Sequence, residues 1–351
     1  MSISPPDGVR VLSFDGGGIR GLSSLLILQR IMYRIKEDNH LEKVPKPCEY
    51  FDMMCGTSTG GMIALMLGRL QMSIEEAIDA YDSLAQFVFS ETKPTWKDGR
   101  YKASRLEAAI KKIVEEKSES QNADEPMKDS RTGDAICKTF VCAHSAVTMR
   151  ANIAHLFRTY DSPNEPAATC AIWQAARATS AAPTFFKRIE LGKPPQPFID
   201  GGLGRNNPTS ALLDEAKVVF PNRRIACVVS IGTGQLKGPT IPKPSGIQRF
   251  FPTDVVEAMI KIATECETTH EEIVKRFDGM KGVYFRFNVE QGMQDIKLEE
   301  WGRLGEVTAH TDSYTSGTEV SRKLEEAVRV LQEPVGRVST AELHVEMLDI
   351  C

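Results

Sequence analysis

The chain has 351 residues, 41% of them hydrophobic and 26% charged, with a net charge of -4 at neutral pH; these are the proportions of a globular protein with a full-sized core, and without a basic run they argue against a nucleic-acid partner. No stretch approaches the roughly 18 apolar residues that span a bilayer, and the opening M-S-I-S-P-P-D-G-V-R lacks the charged and apolar regions of a secretory leader. Eight scattered cysteines, with no C-x-x-C pair and no zinc-like spacing, predict reduced thiols in a cytoplasmic protein.

Residues 1–8 read as a flexible lead-in. Val9–Phe14 then predicts a short apolar strand, followed by the glycine-rich run D-G-G-G-I-R-G and a helix from Leu22 to about Lys36. Phe51–Met54 predicts a second strand entering the turn G-T-S-T-G-G, and Gly61–Leu70 has helical composition. Strand, tight turn and helix in repetition is the α/β signature. Ile74–Val88 predicts a helix with Ser73 as its cap and Glu76 at the capping-box position. Residues 91–103 have loop composition, and the polar stretch 115–135 is a linker candidate. Strands are expected at 139–143 and 153–160, a helix at 169–179, and a strand end at Phe198–Asp200 running into G-G-L-G-R-N-N-P. A helix at Thr209–Val219, an apolar strand at Arg224–Ile231 and a last strand at Val283–Asn288 follow, the last bracketed by helical regions at 253–277 and 299–332.

Three of the loops carry chemistry. Gly56-Thr57-Ser58-Thr59-Gly60 fits G-x-S-x-G, the strained strand-to-helix turn that lifts a serine hydroxyl above a sheet; Gly56 and Gly60 are needed where a Cβ would strike the backbone. Gly16, Gly18 and Gly21 also satisfy the dinucleotide pattern G-x-G-x-x-G, but the acidic residues about 20 positions on, Glu37 and Asp38, fall at the tail of a helix rather than at a strand end. The same glycine N–H groups, backed by a helix N-terminus, can instead surround the oxyanion of acyl transfer, and Arg20 adds charge there or pins the loop. A serine also needs a base. None of the six histidines sits in a recognisable catalytic loop, and His144 and His155 fall in or beside strands as structural histidines. Asp200, at the end of an apolar strand before two glycines, is better placed. A buried carboxylate there can take the proton, although D-G-G is equally the pattern of an aspartate capping a turn.

D-G-G-G-I-R-G at 15–21, G-T-S-T-G-G at 56–61 and D-G-G-L-G-R-N-N-P at 200–208, in that order, resemble the patatin-like phospholipases, as do A-R-A-T-S-A-A-P-T-F-F at 176–186 and S-I-G-T-G at 230–234. The resemblance runs from about residue 9 to 234 and more weakly to about 330. It implies an α/β protein with a three-layer α/β/α patatin-like fold and a mainly parallel central sheet, in which 9–332 form one catalytic domain and 333–351 an extension. It further implies a Ser-Asp dyad, Ser58 as nucleophile and Asp200 as general base, with Gly16, Gly17 and Gly18 as oxyanion hole, Arg20 close by, and no metal or cofactor. The expected reaction is calcium-independent hydrolysis of a fatty acyl ester of a phospholipid or other glycerolipid, at a membrane or lipid-droplet interface. The other reading is an N-terminal effector module of a larger signalling protein. Trp96 and Tyr101, and Arg249-Phe250-Phe251, either contact that interface or pack against their own domain, while Val255, Met259, Ile262, Leu324 and Val328 either cover the sheet or roof an acyl channel.

Overall fold

A computed structural model of the protein describes residues 8–93, 99–131, 133, 136–147, 154–235 and 266–340. The run V-R-V-L-S-F is apolar on both faces and becomes the strand β1 (Gly8–Phe14) at the centre of a sheet. In chain order the other strands are β2 (Met53–Thr57), β3 (Lys138–Ser145), β4 (His155–Arg158), β5 (Ile189–Leu191), β6 (Gln196–Asp200), β7 (Arg224–Ile231), β8 (Tyr284–Phe287) and β9 (Val338–Ser339). They lie in the order β5-β6-β3-β2-β1-β7-β8. The pairs β3–β2, β2–β1, β1–β7 and β7–β8 are parallel, while β4, β5, β6 and β9 join antiparallel.

The helices are α1 (Gly21–Asp38), α2 (Pro47–Tyr50), α3 (Thr59–Ala64), α4 (Ile74–Phe89), α5 (Ala103–Lys117), α6 (Ile172–Thr179), the single turn α7 (Gly202–Arg205), α8 (Thr209–Val219), α9 (Glu267–Arg276), α10 (Leu304–Thr315) and α11 (Thr318–Gln332). Side chains alternate across a strand, so each face of the sheet feeds its own core. Leu12 and Phe14 join Leu25, Leu28, Ile63, Leu84 and Leu324 on one side. Val9 and Val11 join Leu212, Ala216 and Ile273 on the other. The result is the expected α/β protein, a mainly parallel sheet between two helical layers.

Several local expectations shift. Gly8, assigned to the lead-in, already pairs with Arg224 and donates to the Pro334 carbonyl. The serine-bearing strand extends to Thr57, because the small residues Cys55 and Gly56 fit the buried ladder against β1 and β3. The helical stretch after the serine changes pitch at Leu65–Arg69, a π turn that brings Arg69 into the interior. There Arg69 pairs with Glu125 at 2.9 Å and bonds the carbonyls of Pro126 and Met127, so this part of the polar stretch is anchored rather than a free linker. Helix α5, for which the sequence reading makes no assignment, buries Leu106, Ile110 and Val114, spaced one turn apart among charged residues. Ser73 and Glu76 form the expected capping box of α4, with Ser73 Oγ accepting from the Glu76 N–H at 3.2 Å and Glu76 accepting from the Ser73 N–H at 2.9 Å. The region 299–332 breaks into α10 and α11 at Gly317, and the start of the C-terminal extension returns to the sheet as β9. Leu324 and Val328 are core residues, each 1% exposed. Val255, Met259, Ile262, Trp96 and Arg249-Phe250-Phe251 lie outside the described residues.

Candidate active site

Ser58 follows the last residue of β2 and starts α3 with φ 53° and ψ −123°, a left-handed conformation that a non-glycine residue holds only under constraint. The constraint is steric. A Cβ on Gly56 would stand 2.0 Å from the Gly60 carbonyl oxygen, and one on Gly60 would stand 2.4 Å from that of Phe14. The turn can close only around those glycines. The Ser58 N–H is held by Thr179 Oγ1 at 2.9 Å, which itself donates to the Cys142 carbonyl at 2.5 Å. Thr179 is thus a positioning residue on α6 that the sequence reading left unassigned.

Asp200 reaches the serine through strand register. Thr57 pairs with Cys142 on β3, so the next residue on β2 is level with Ala143, and Ala143 pairs across β3's other edge with Asp200. Because β6 runs antiparallel, its end would lie far from the serine if the strand were long. It overlaps only residues 143–145 of β3, and this short overlap sets the carboxylate beside the turn. Gly201 permits the approach, since a Cβ there would stand 2.4 Å from the Cys142 carbonyl oxygen. Asp200 is 4% exposed. It accepts the Gly202 N–H at 2.7 Å, which is the turn-capping role, and the Ser58 side chain is close enough to lower its proton affinity. Burial pushes its pKa up to about 7, against the smaller pull of the Ser58 side chain, the Gly202 N–H and the Arg177 guanidinium. No histidine is among the groups that set this proton affinity. His155 instead packs its ring on Phe157 and Phe198 at 4.6 and 5.1 Å.

The glycine loop hangs from the C-terminal end of β1, beside the same ends of β2 and β7, where ligand sites of open α/β sheets collect. Its three glycines are not equivalent. The Gly16 N–H donates to the Asn206 carbonyl at 3.2 Å, and the Gly16 carbonyl accepts from Thr233 Oγ1 at 2.9 Å and Asn206 Nδ2 at 3.3 Å. Gly16 is therefore a clamped residue whose amide is already used. The N–H groups of Gly17 and Gly18 have no acceptor among the described residues. Gly18, at φ 55°, gives its carbonyl to the Tyr81 hydroxyl and packs under Leu298. Thr57 Oγ1 donates to the Arg205 carbonyl at 2.7 Å, so the loop after Asp200 grips both the serine strand and the glycine loop.

Arg20 is 2% exposed and forms no ion pair among the described residues; its Nε reaches the Gly17 carbonyl at 3.5 Å and one terminal nitrogen has no partner. Burial lowers its pKa to about 10, leaving it a cation at neutral pH behind the glycine loop. At the loop's start, Asp15 is gripped at both oxygens by Arg286 of β8, at 2.9 and 2.6 Å. Arg286 also donates to Ser230 at 3.0 Å, and its pKa is held far above the ordinary arginine value by Asp15. Nothing in the sequence around Arg286 marks it as a partner 271 residues away. An apolar cleft beside the serine is lined by Met62, Leu84, Val88, Phe89, Phe186 and Leu298 together with Ser58 and Gly18. It is narrow, with a volume of about 60 Å³. Of its two expected roles Tyr101 takes the packing one: it is 2% exposed, edge-on to Phe89 at 5.0 Å and stacked on Phe185 at 6.2 Å.

The patatin-like phospholipase family matches residues 12–213, more than half of the chain. The chain belongs to that family. This patatin-like chain is 29% identical over 297 residues to calcium-independent phospholipase A2-gamma of Rattus norvegicus, covering 80% of itself and 35% of the relative. It is 28% identical over 353 residues to phospholipase A I of Arabidopsis thaliana (84% and 26% covered), and 26% identical over 324 residues to patatin-like phospholipase 1 of Plasmodium falciparum (83% and 44% covered). The chain thus spans under half the length of these curated relatives. Among solved structures, VipD from Legionella pneumophila aligns with 87% of this chain and 67% of its own at 11% identity and a TM-score of 0.39. Arg286, Leu298 and Thr233, which brace the glycine loop, all lie beyond the matched segment.

Proposed function

We propose that this patatin-like chain hydrolyses fatty acyl esters of phospholipids or other glycerolipids through an acyl-serine intermediate, with Ser58 and Asp200 as its dyad. The observation that carries this reading is a buried Asp200 carboxyl whose pKa is raised to about 7 and on which the Ser58 side chain acts. A carboxylate of that basicity is half ionised near neutrality and matched to proton transfer at that pH. Ser58 Oγ would attack the ester carbonyl carbon while Asp200 takes its proton. The negative charge that develops on the carbonyl oxygen would meet the N–H groups of Gly17 and Gly18, each well-placed donor supplying about 3 kcal/mol, with the Arg20 cation behind them. Collapse breaks the bond to the alcohol, which leaves with the proton returned by Asp200. Water then attacks the acyl-serine, again losing its proton to Asp200, which passes it to Ser58 Oγ as the acyl–Oγ bond breaks and the fatty acid departs. The apolar cleft would take the acyl chain, its side chains parting to admit it. Ser58 supplies the nucleophile and Asp200 the acid-base chemistry, neither needing a metal, and peripheral contact with a lipid surface follows from the substrate; a cytoplasmic location belongs to the same proposal.

The test is hydrolysis of mixed phospholipid and glycerolipid vesicles in excess chelator. Turnover should persist in the chelator, vanish in Ser58→Ala and fall about 10²- to 10⁴-fold in Asp200→Asn. Undiminished activity in either variant would refute the dyad.

A further inference from the structure

The run S-I-G-T-G at 230–234 ends β7 and turns away beside the glycine loop. Its backbone is fixed on both sides of Thr233. The Gly232 N–H donates to the Phe287 carbonyl at 2.8 Å, and the Gly232 carbonyl accepts from Ser24 Oγ of α1 at 2.8 Å. On the other side the Gly234 N–H donates to Asn288 Oδ1 at 2.7 Å, and the Gln235 N–H to the Val289 carbonyl at 2.9 Å. Thr233 thus stands on a base that cannot shift without breaking bonds to β8, to the residues after it and to α1. The residue is 4% exposed, and its hydroxyl is not used within its own turn: it donates to the Gly16 carbonyl, 217 positions away, at 2.9 Å.

That carbonyl belongs to the same peptide unit as the Gly17 N–H, one of the amides with no acceptor among the described residues. A peptide unit is planar, and in the trans form its C=O and N–H point in opposite directions, so whatever fixes one fixes the other. Two donors meet the Gly16 oxygen, Thr233 Oγ1 and, at the longer distance of 3.3 Å, Asn206 Nδ2. The Thr233 side chain also lies against the next residue: a Cβ on Gly17 would stand 2.0 Å from Thr233 Oγ1 and 2.4 Å from its Cβ. Gly16 itself abuts the serine, since a Cβ on it would stand 3.1 Å from the Ser58 Cβ. The bonds that the Gly16 oxygen accepts polarise the whole peptide and make its N–H the better donor.

We propose that Thr233 is a positioning residue for the ester hydrolysis, its hydroxyl holding the Gly16–Gly17 peptide so that the Gly17 N–H meets the developing oxyanion. The proposal rests on the hydrolase reading for its chemistry, yet the hold on the peptide is measurable without turnover. Thr233 is not among the groups that act on the Asp200 carboxyl, so losing its hydroxyl leaves the base as it is and removes only stabilisation of the oxyanion.

The experiment compares Thr233→Val, which keeps the shape and loses the hydroxyl, with Thr233→Ser, which keeps the hydroxyl, in hydrolysis of p-nitrophenyl butyrate. Outright loss of an oxyanion donor costs about 10²- to 10³-fold in kcat, and because Asn206 Nδ2 still holds the carbonyl, Thr233→Val should lose about 10- to 100-fold. KM and the rising limb of the pH profile should not move, and Thr233→Ser should recover most of the loss. In a chain labelled with carbonyl-13C and 15N glycine, only the glycine–glycine peptides 16–17, 17–18, 60–61 and 201–202 give carbonyl-to-amide correlations. The Gly16 carbonyl carbon should move upfield in Thr233→Val and stay in place in Thr233→Ser, while unmoved 60–61 and 201–202 signals certify the fold. Unchanged kcat in Thr233→Val, a loss that lies in KM, a loss shared equally by Thr233→Ser, or a Gly16 signal that does not move would each overturn the proposal. Absence of turnover in the unsubstituted chain would sink the hydrolase reading, and the labelled spectra would still decide whether Thr233 holds the peptide.

Discussion

Replacing Asp200 by asparagine should make the protein more stable, and increasingly so as pH rises from about 4 to 7. The carboxyl titrates at 3.8 in an unconstrained chain and at about 7 in the folded one. Between those values the folded state binds a proton that the unfolded state has released, so each pH unit of increase costs about 1.36 kcal/mol of stability. Over a window of about three units the cost reaches an upper bound of about 4 kcal/mol, and above pH 7 it is constant. Asparagine has no such titration, and its amide oxygen still accepts the Gly202 N–H and faces Ser58. Urea unfolding of both proteins at pH 4, 5.5, 7 and 8 measures the difference directly. Coincident stabilities at pH 4 and a gap of several kcal/mol at pH 8 are expected. A gap independent of pH, or one that closes as pH rises, would show that Asp200 titrates like an exposed carboxylate and would remove the basis for its role as base.

The same titration predicts that kcat/KM for ester hydrolysis rises with pH through an apparent pKa near 7 and then levels, as expected of an essential base ionising in the free enzyme; a rising limb centred near pH 4 would contradict it. Arg286→Met leaves the buried Asp15 carboxylate without its partner and should cost about 3–5 kcal/mol in chemical denaturation, most of it recovered when Asp15→Asn is added to the same chain. If the double variant is no more stable than the single one, the pair is not what holds the loop's first residue.

Strand, turn and helix in repetition indicated the α/β class, and glycine spacing indicated the sharp turn at Ser58, because those depend on neighbouring residues. What they could not indicate depends on contacts between distant segments. The reason Asp200 meets Ser58 is the brief overlap of β6 with β3, a register that no local pattern encodes. The roles of Gly16 and Gly17 look identical in D-G-G-G, and only Asn206 and Thr233, on two other loops, distinguish the clamped amide from the open one. Helix α5 was legible in principle, since Leu106, Ile110 and Val114 repeat every fourth position. For Tyr101 the sequence left interface contact and domain packing open, and only the fold, by bringing Phe89, Phe185 and Phe186 around the ring, decides for packing.

The brevity of β6 makes the alignment of carboxyl and hydroxyl a matter of parity. Side chains alternate between the two surfaces of a strand, so one residue gained or lost within 196–200 would swing Asp200 through the sheet to the layer occupied by α8, whereas changes in the 192–195 turn, outside the ladder, leave its orientation alone. Inside the strand, only a change of two residues keeps the carboxyl on its present face.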